Sequence, residues 1–456
     1  MNGLWDMAHL RKSKSNSLLC DTQEVLLAHI KQGDHLTIAL SGGIDSVVLL
    51  HLLASLSQHM HFTLSAVHVN HGISSNATLW SQFCCNLCHT YDIPIYIAYL
   101  QIKKESGISL EANAREERYR IFNQLQTDYV VLAQHLDDQA ETLLLQLFRG
   151  AGIKGLSAMP VVRKQFSDTA PQLLRPLLEV SRSRIEAYAH ENKLNWMNDE
   201  SNDSIAFNRN FLRHKILPLL KERYPNYPKT LLRTSRHLSE ASSLLDELAE
   251  IDIGNCLVSG KLKVSNIRKL SFPRAKNLLR HTLLQRGANL PSTAKLDDIL
   301  SQLLSAGSGS QLHINFGNTE IRCYKDALYI LSRKIPSKEP IQISWCGEAF
   351  LALKHPTGSI HFTQVRNQGI SPQRMMHEPI MICLRSGGER FMPACNRPRR
   401  SLKNLLQEAS IPPWERNTLP LLFCGEKLVW VPGIGIDCEF QVKSDEMGIL
   451  PIWNPE

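Results

Sequence analysis

Four apolar runs in the first third of the chain, at 36–40, 62–69, 93–100 and 129–133, are short and almost unbroken. Runs of that length suit strands buried on both faces better than amphipathic helices. Helical stretches separate them, near 46–56, 77–90, 110–125 and 138–148. Strands alternating with helices in this way predict a parallel sheet with helices on both faces and right-handed crossovers. Such a sheet takes its ligands beyond the carboxyl ends of its strands. Ser41, Gly42, Gly43, Ile44, Asp45 and Ser46 follow the first run, and His68, Asn70, His71 and Gly72 lie at and after the end of the second. His135, Asp137, Asp138 and Glu141 follow the fourth. Three polar clusters therefore fall on one edge of the expected sheet.

Beyond Arg149-Gly150-Ala151-Gly152 the pattern loosens into a connecting region holding Arg175-Pro176-Leu177-Leu178 and a helix near 182–191. Pro225 and Pro228 punctuate a boundary, and Pro336-Ser337-Lys338-Glu339-Pro340 reads as a linker. The expected organisation is an N-terminal extension over 1–20, an α/β domain over 21–225 and a mainly helical middle domain over 226–335. A linker region over 336–375 and a small α+β C-terminal domain over 376–456 complete it.

Composition narrows the function classes. Apolar residues make up 43% of the 456, enough for a sizeable core, and no apolar run is long enough to cross a bilayer. The first 21 residues carry Arg11, Lys12 and Lys14 but lack the apolar stretch of a secretory signal, so a cytoplasmic location without membrane association is expected. The eleven cysteines follow no framework spacing, which predicts reduced thiols. Cys85 and Cys88 form a lone CxxC, read as thiols on a helix because no second pair exists to complete a metal site. The formal charge of +8 is compatible with a polyanionic partner.

Ser41 to Ser46 join a strand to a helix, where free N–H groups and the helix dipole favour an anion. Two glycines let the backbone approach phosphate oxygens, and two serines add hydroxyl donors. The Gly-Lys-Ser/Thr that grips a γ-phosphate is missing. That suits an enzyme that splits ATP between its α and β phosphates. Asp137, Asp138 and Glu141 open a helix; Asp138 as N-cap with Glu141 three residues on would be a plain capping box, but this leaves His135 and Asp137 unexplained. A site crowded with phosphates needs Mg²⁺, and Asp45 and Asp138 are candidate oxygen ligands. Glu111, Arg115 and Arg118 share a helix face, which by itself is an ordinary solvated ion-pair face.

In order, these segments resemble the tRNA(Ile)-lysidine synthetase family of PP-loop enzymes. The resemblance rests on Ser41–Ser46, Val67–Gly72, Glu111–Tyr119 and His135–Thr142, then on Arg149-Gly150, Arg175–Leu178, Asp199–Asn202 and Arg209–Arg213. It continues through Leu384–Glu389, Ile411–Arg416 and Val429–Gly433. Gln134 departs from it, since the family often has a second histidine there. The resemblance implies that ATP activates C2 of the wobble cytidine in an isoleucine tRNA with a CAU anticodon. Free L-lysine then displaces AMP to give lysidine. It also allows a homodimer.

On this reading the 41–46 loop, with His71, binds ATP, and Asp45, Asp137 and Asp138 share metal and base duties. Arg115 and Arg118 face the AMP phosphate or the RNA, and His71 or His135 orients a reacting group. Arg209 and Arg213 sit at a tRNA-facing junction. Between 385 and 416 seven Lys/Arg stand against three Glu. Arg397, Arg399, Arg400 and Lys403 crowd into seven residues, which favours phosphate contacts over a merely solvated face. Two rivals remain, a PP-loop tRNA cytidine thiolase and a non-catalytic RNA-binding scaffold. A thiolase should carry more clustered cysteines; a scaffold should have lost the loop or the acid pair.

Overall fold

The computed structural model describes residues 14–70, 72, 76–100, 110–164, 170–198, 205, 207–307, 312–333, 342–354, 357–376 and 378–455. The chain divides into two compact units, 1–248 and 249–456.

The first unit is built on a six-stranded sheet of β1 (His35–Ala39), β2 (Thr63–Asn70), β3 (Ile95–Tyr99), β4 (Tyr129–Val131), β5 (Val162–Arg163) and β6 (Gln172–Leu174). Their order is β3-β2-β1-β4-β6-β5, parallel except for the last pair. All four expected strands are present. Alternate residues face opposite layers, as the pleat requires. Leu36, Ile38, Ala66 and Val131 point into one core with helices α1 (Lys14–His29), α2 (Ile44–Met60) and α3 (Ala77–Thr90). Val67, Val130 and Leu173 point into the other, against Phe122 of α4 (Leu110–Phe122). Helix α2 is apolar nearly all round because it is buried nearly all round.

Five more helices follow: α5 (Leu136–Phe148), α6 (Ile153–Leu156), α7 (Arg182–Glu191), α8 (Asn208–Phe211) and α9 (Leu217–Arg223), the last two joined by a π-helical turn at Leu212–Ile216. The long α10 (Tyr227–Cys256) comes next. The first helix starts at 14, with Leu18 in the core, so the packed domain begins earlier than the expected boundary at 21.

The second unit adds two features to the periodicity reading. Its helices Phe272–Gln285 and Thr293–Ser305 pack beside a five-stranded antiparallel sheet made from 257–263 and 313–332, so the middle region carries a sheet as well as helices. The expected linker region contains paired strands, Gln342–Ser344, Phe350–Lys354 and Thr357–Arg366; Pro336–Pro340 lies outside the described residues. The C-terminal part adds strands at 380–383, 421–431 and 447–455 and the helix Leu402–Glu408. Among the described residues no helix is long and apolar enough to cross a membrane.

Candidate active site

The 41–46 loop closes on itself through Ser46. Its Oγ accepts from the N–H of Ser41 and of Gly42, each at 3.2 Å, and donates to the Gly43 carbonyl at 2.9 Å. Gly42 has φ +87°, so glycine is favoured by conformation; a Cβ there would only touch Cys84 Sγ at 3.4 Å. No side chain caps α2 at Gly43. The first-turn N–H groups of Ile44, Asp45 and Ser46 precede the first intrahelical bond, from Val47 N to Gly43 O, and face an anion's natural place. Two flanking segments hold the loop: Met197 N donates to Gly42 O at 2.9 Å, and the buried His68 lies 2.8 Å from Leu40 O through Nδ1. Burial lowers the His68 pKa. Asn70 ties the second strand end to α3 through Ala77 O and Ser81 Oγ. His68 thus supports the loop and Asn70 the neighbouring strand end; His71 and Asp199–Asn202 lie outside the described residues.

At the end of β4 the chain turns into α5 with His135 as N-cap. The capping carboxylate is Asp138 at the third helical position, whose Oδ2 accepts from His135 N at 3.0 Å. This corrects the expected box: Asp138 is not the N-cap and Glu141 is not its partner. The His135 ring is 1% exposed. Its Nε2 is 3.6 Å from Asp45 Oδ1 and 3.4 Å from Asp138 Oδ2, and its Nδ1 is 3.7 Å from Asp137 Oδ2. One imidazole therefore sits among three carboxylates drawn from two strand ends.

Four cationic or phenolic groups complete the cluster. Arg182, the first residue of α7, places Nη1 3.3 Å from Asp45 Oδ2, and its backbone N–H donates to Asp137 Oδ2 at 2.9 Å. Arg209 reaches Asp138 Oδ1 and Glu141 Oε2, both at 2.6 Å. Arg213 grips Glu141 with two bonds, of 2.6 and 3.0 Å. Burial, then the nearby Asp137 and Glu141 carboxylates, pushes the Tyr227 phenol up to about 12.

The two carboxylates flanking His135 are driven apart. Burial raises Asp45 above the ordinary range, with Asp138 adding to the effect, although His135 and Arg182 oppose it. Burial also acts to raise Asp138, but His135, Arg209, the backbone hydrogen bond and Arg213 outweigh it and hold it low. Separated pKa values in one cluster are the usual arrangement of a catalytic site.

The structure therefore joins Asp45, His135, Asp137 and Asp138, as the sequence indicates. It brings Arg209 and Arg213 onto the acids at that site. Arg182 and Tyr227 escape the sequence reading. A cation in the first turn runs against the helix dipole, and that anomaly at Arg182 is the signal that could have marked it. Arg115 is exposed and lies over the Tyr119 ring at 5.1 Å, one helix away from the acids; Arg118 is half-buried on the same helix.

No group of three His, Cys, Asp or Glu side chains among the described residues forms a metal cage. Asp45 Oδ1 is nevertheless buried without a hydrogen-bond partner, which fits a cation carried chiefly by phosphates and waters. Asp138 has one oxygen on His135 N and the other on Arg209, so it fits less well. Of the CxxC pair on α3, Cys88 is buried and burial pushes its thiol up to about 12, the opposite of what a reactive thiolate needs, while Cys85 is half-buried; the neighbouring Cys84 is buried like Cys88. The reduced-thiol expectation fails at one place, because Cys395 and Cys438 form a disulfide with Cα atoms 5.3 Å apart.

Comparison with known proteins finds relatives along nearly the whole chain. Family descriptions match at residues 14–220 (PP-loop domain), 262–329 (TilS substrate binding domain) and 380–453 (TilS substrate C-terminal domain). A tRNA(Ile)-lysidine synthase of Nitrosomonas europaea is 51% identical over 432 residues, 94% of each chain. Those of Azoarcus sp. and Coxiella burnetii are 38% and 36% identical, over 94% and 95% of this chain and 93% and 96% of theirs. With identity of this order along nearly its whole length, the chain belongs to the tRNA(Ile)-lysidine synthase family.

Proposed function

We propose that the chain uses ATP to join L-lysine to C2 of the wobble cytidine in a CAU-anticodon isoleucine tRNA. The observation that carries this reading is the buried His135 between Asp45, Asp137 and Asp138, one step along the sheet edge from an uncapped phosphate loop. The cytidine O2 attacks the α-phosphate, and pyrophosphate leaves toward the N–H groups of Ile44, Asp45 and Ser46. The lysine Nζ then attacks C2, and AMP departs with the former O2.

An amine with a pKa of about 10.4 must lose a proton first. Asp137 is the base in this reading: at 30% exposed it is open to a substrate, and His135 Nδ1 behind it has no hydrogen-bond partner. Asp45 would hold Mg²⁺ together with the phosphates, with Asp138 as a second ligand only if Arg209 lets go; the ion would neutralise phosphate charge. Arg182 orients Asp45 and Asp137. Glu141, Arg209 and Arg213 fix the acid wall, and His71 would join the nucleotide side.

Arg115 and Arg118 serve the phosphates of AMP or RNA, and Arg397, Arg399, Arg400 and Lys403 serve the tRNA backbone. The domains divide accordingly, with chemistry in the first and tRNA contacts in the later two. ATP, lysine and tRNA meet in the cytoplasm, where this activity belongs.

The test is incorporation of labelled lysine with ATP and Mg²⁺ into an unmodified isoleucine transcript, with methionine tRNA as control. Label should enter only the isoleucine tRNA and be lost in Asp45→Ala. Asp137→Asn should still release pyrophosphate while lysine transfer falls by about 10²-fold or more. Absence of ATP turnover in folded protein would overturn the reading.

A further inference from the structure

Arg175 opens the Arg-Pro-Leu-Leu segment, and no step above uses it. Its side chain is 2% exposed at the carboxyl end of β6. Nε donates to Gln134 Oε1 and Nη1 donates to Pro160 O at 2.9 Å, and the Tyr119 phenol lies beside the guanidinium. Every one of these acceptors is neutral. No carboxylate lies within ion-pair distance of Arg175, Arg163 or Arg115 among the described residues.

The charged groups that do face Arg175 have its own sign, Arg163 and Arg115. Arg163 pairs with Leu173 across the β5–β6 ladder, and Arg175 N donates to Val161 O. Arg163 and Arg175 are therefore diagonal neighbours on one face of the sheet, about 7–8 Å apart by ordinary sheet geometry. From α4, Arg115 Nη2 donates to the same Tyr119 hydroxyl at 3.3 Å. One phenol oxygen thus stands between two guanidiniums where an anion could stand.

A buried cation with no counter-charge among the described residues is costly, and an apolar residue of similar size often serves stability as well. Packing alone does not account for it. The place is telling too, for Gln134 immediately precedes His135. On the basis of the proposed reaction, we propose that Arg175, Arg163 and Arg115 form a binding site for a phosphate ester beside the catalytic cluster. The phosphate takes over the acceptor role of Tyr119. Gln134 orients Arg175 and, unlike a carboxylate, leaves its charge uncancelled. The loop at β1 already receives the ATP phosphates two strands away, about 10 Å by strand spacing. A backbone phosphate next to the reacting cytidine is the expected occupant.

Arg163→Ala and Arg175→Met separate binding from folding. Binding of unmodified tRNA is read by fluorescence anisotropy across salt concentrations without ATP or lysine, so the result does not depend on the lysine chemistry. Wild-type protein that binds tRNA but incorporates no lysine would fail the proposed function and leave this measurement intact. Arg163→Ala should weaken isoleucine and methionine tRNA alike by roughly threefold to tenfold and reduce the salt slope by about 0.7–0.9. Arg175→Met should weaken both further with no fall in unfolding midpoint. A rise in the ATP KM alone would support the same site with the nucleotide as the phosphate source. Unchanged tRNA and ATP constants in Arg163→Ala, with an unfolded Arg175→Met, would overturn the proposal and leave Arg175 a structural cross-link.

Discussion

Two charged regions look alike as strings of letters and behave differently once folded. Around β4, Glu141 is 1% exposed and carries two arginines on its two oxygens. In the C-terminal part, Arg400 pairs with Glu408 and Arg399 with Glu439 on open surface. Arg399 also reaches the buried Asp437, beside the Cys395–Cys438 disulfide, but Arg397 and Lys403 make no ion pair among the described residues. Around Glu141 the first region is a closed network in which carboxylate and guanidiniums answer one another. The second keeps charge in reserve. Burial decides how much a charge matters to the fold, and spare charge decides how much it matters to a mobile polyanion.

The sharpest way to break this comparison is Glu141→Ala. It takes from Arg209 and Arg213 the buried carboxylate they share, and losing one member of a buried ion-pair network costs on the order of 3–5 kcal/mol. Chemical denaturation should show that loss in the first unit, together with collapse of lysine transfer. A loss below about 1 kcal/mol would mean that the cluster is as well solvated as the C-terminal pairs.

Asp45→Asn is the next test, and its effect has a pH signature. Asp45 titrates above its ordinary value of 3.8 when folded, so its charged form destabilises. That cost is absent below 3.8 and grows as pH rises through the folded value. Asp138 titrates below 3.8, so its contribution is complete above that value and is lost as pH falls through its folded one. Asp45→Asn should therefore raise the unfolding midpoint at neutral pH by roughly 2 °C, with the gain vanishing near pH 3.8, while activity falls by about 10³-fold. Equal midpoints at both pH values would show that Asp45 is not penalised by burial.

The same contrast explains what could be read from the letters. Parallel strands buried on both faces announce themselves as apolar runs, and the residues after them converge because topology forces them to one edge. Glu141 was visible beside Asp138, but its partners at 209 and 213 are 68 and 72 residues away and no local rule connects them. Arg182 carries a local mark, a cation against the helix dipole, but nothing local ties it to Asp45, 137 residues away. In the second unit the strand Thr319–Tyr324 alternates buried and half-buried positions, yet its turn into Ala327–Ser332 is Lys325-Asp326, both at positive φ, without the glycine or asparagine that usually marks such a hairpin. The sheet was hidden by its turn. Cys395 and Cys438, 43 residues apart, show no spacing that would announce a pair.

The smallest expected effects belong to the exposed basic loop, and they are the ones that sharpen the comparison. Arg397→Ala with Lys403→Ala removes two cations that make no ion pair among the described residues, so folding should be untouched. Affinity for tRNA at low salt should fall a few-fold, equally for isoleucine and methionine tRNA, and the salt slope should drop by about 0.7–0.9 per residue. Arg400→Ala removes a cation already matched by Glu408, and should change the slope by less than either. Titrations of labelled tRNA at three salt concentrations separate these cases. If Arg400→Ala moves the slope as far as Arg397→Ala, the Glu408 pair opens when RNA arrives, and the charge it holds back belongs to the binding surface after all.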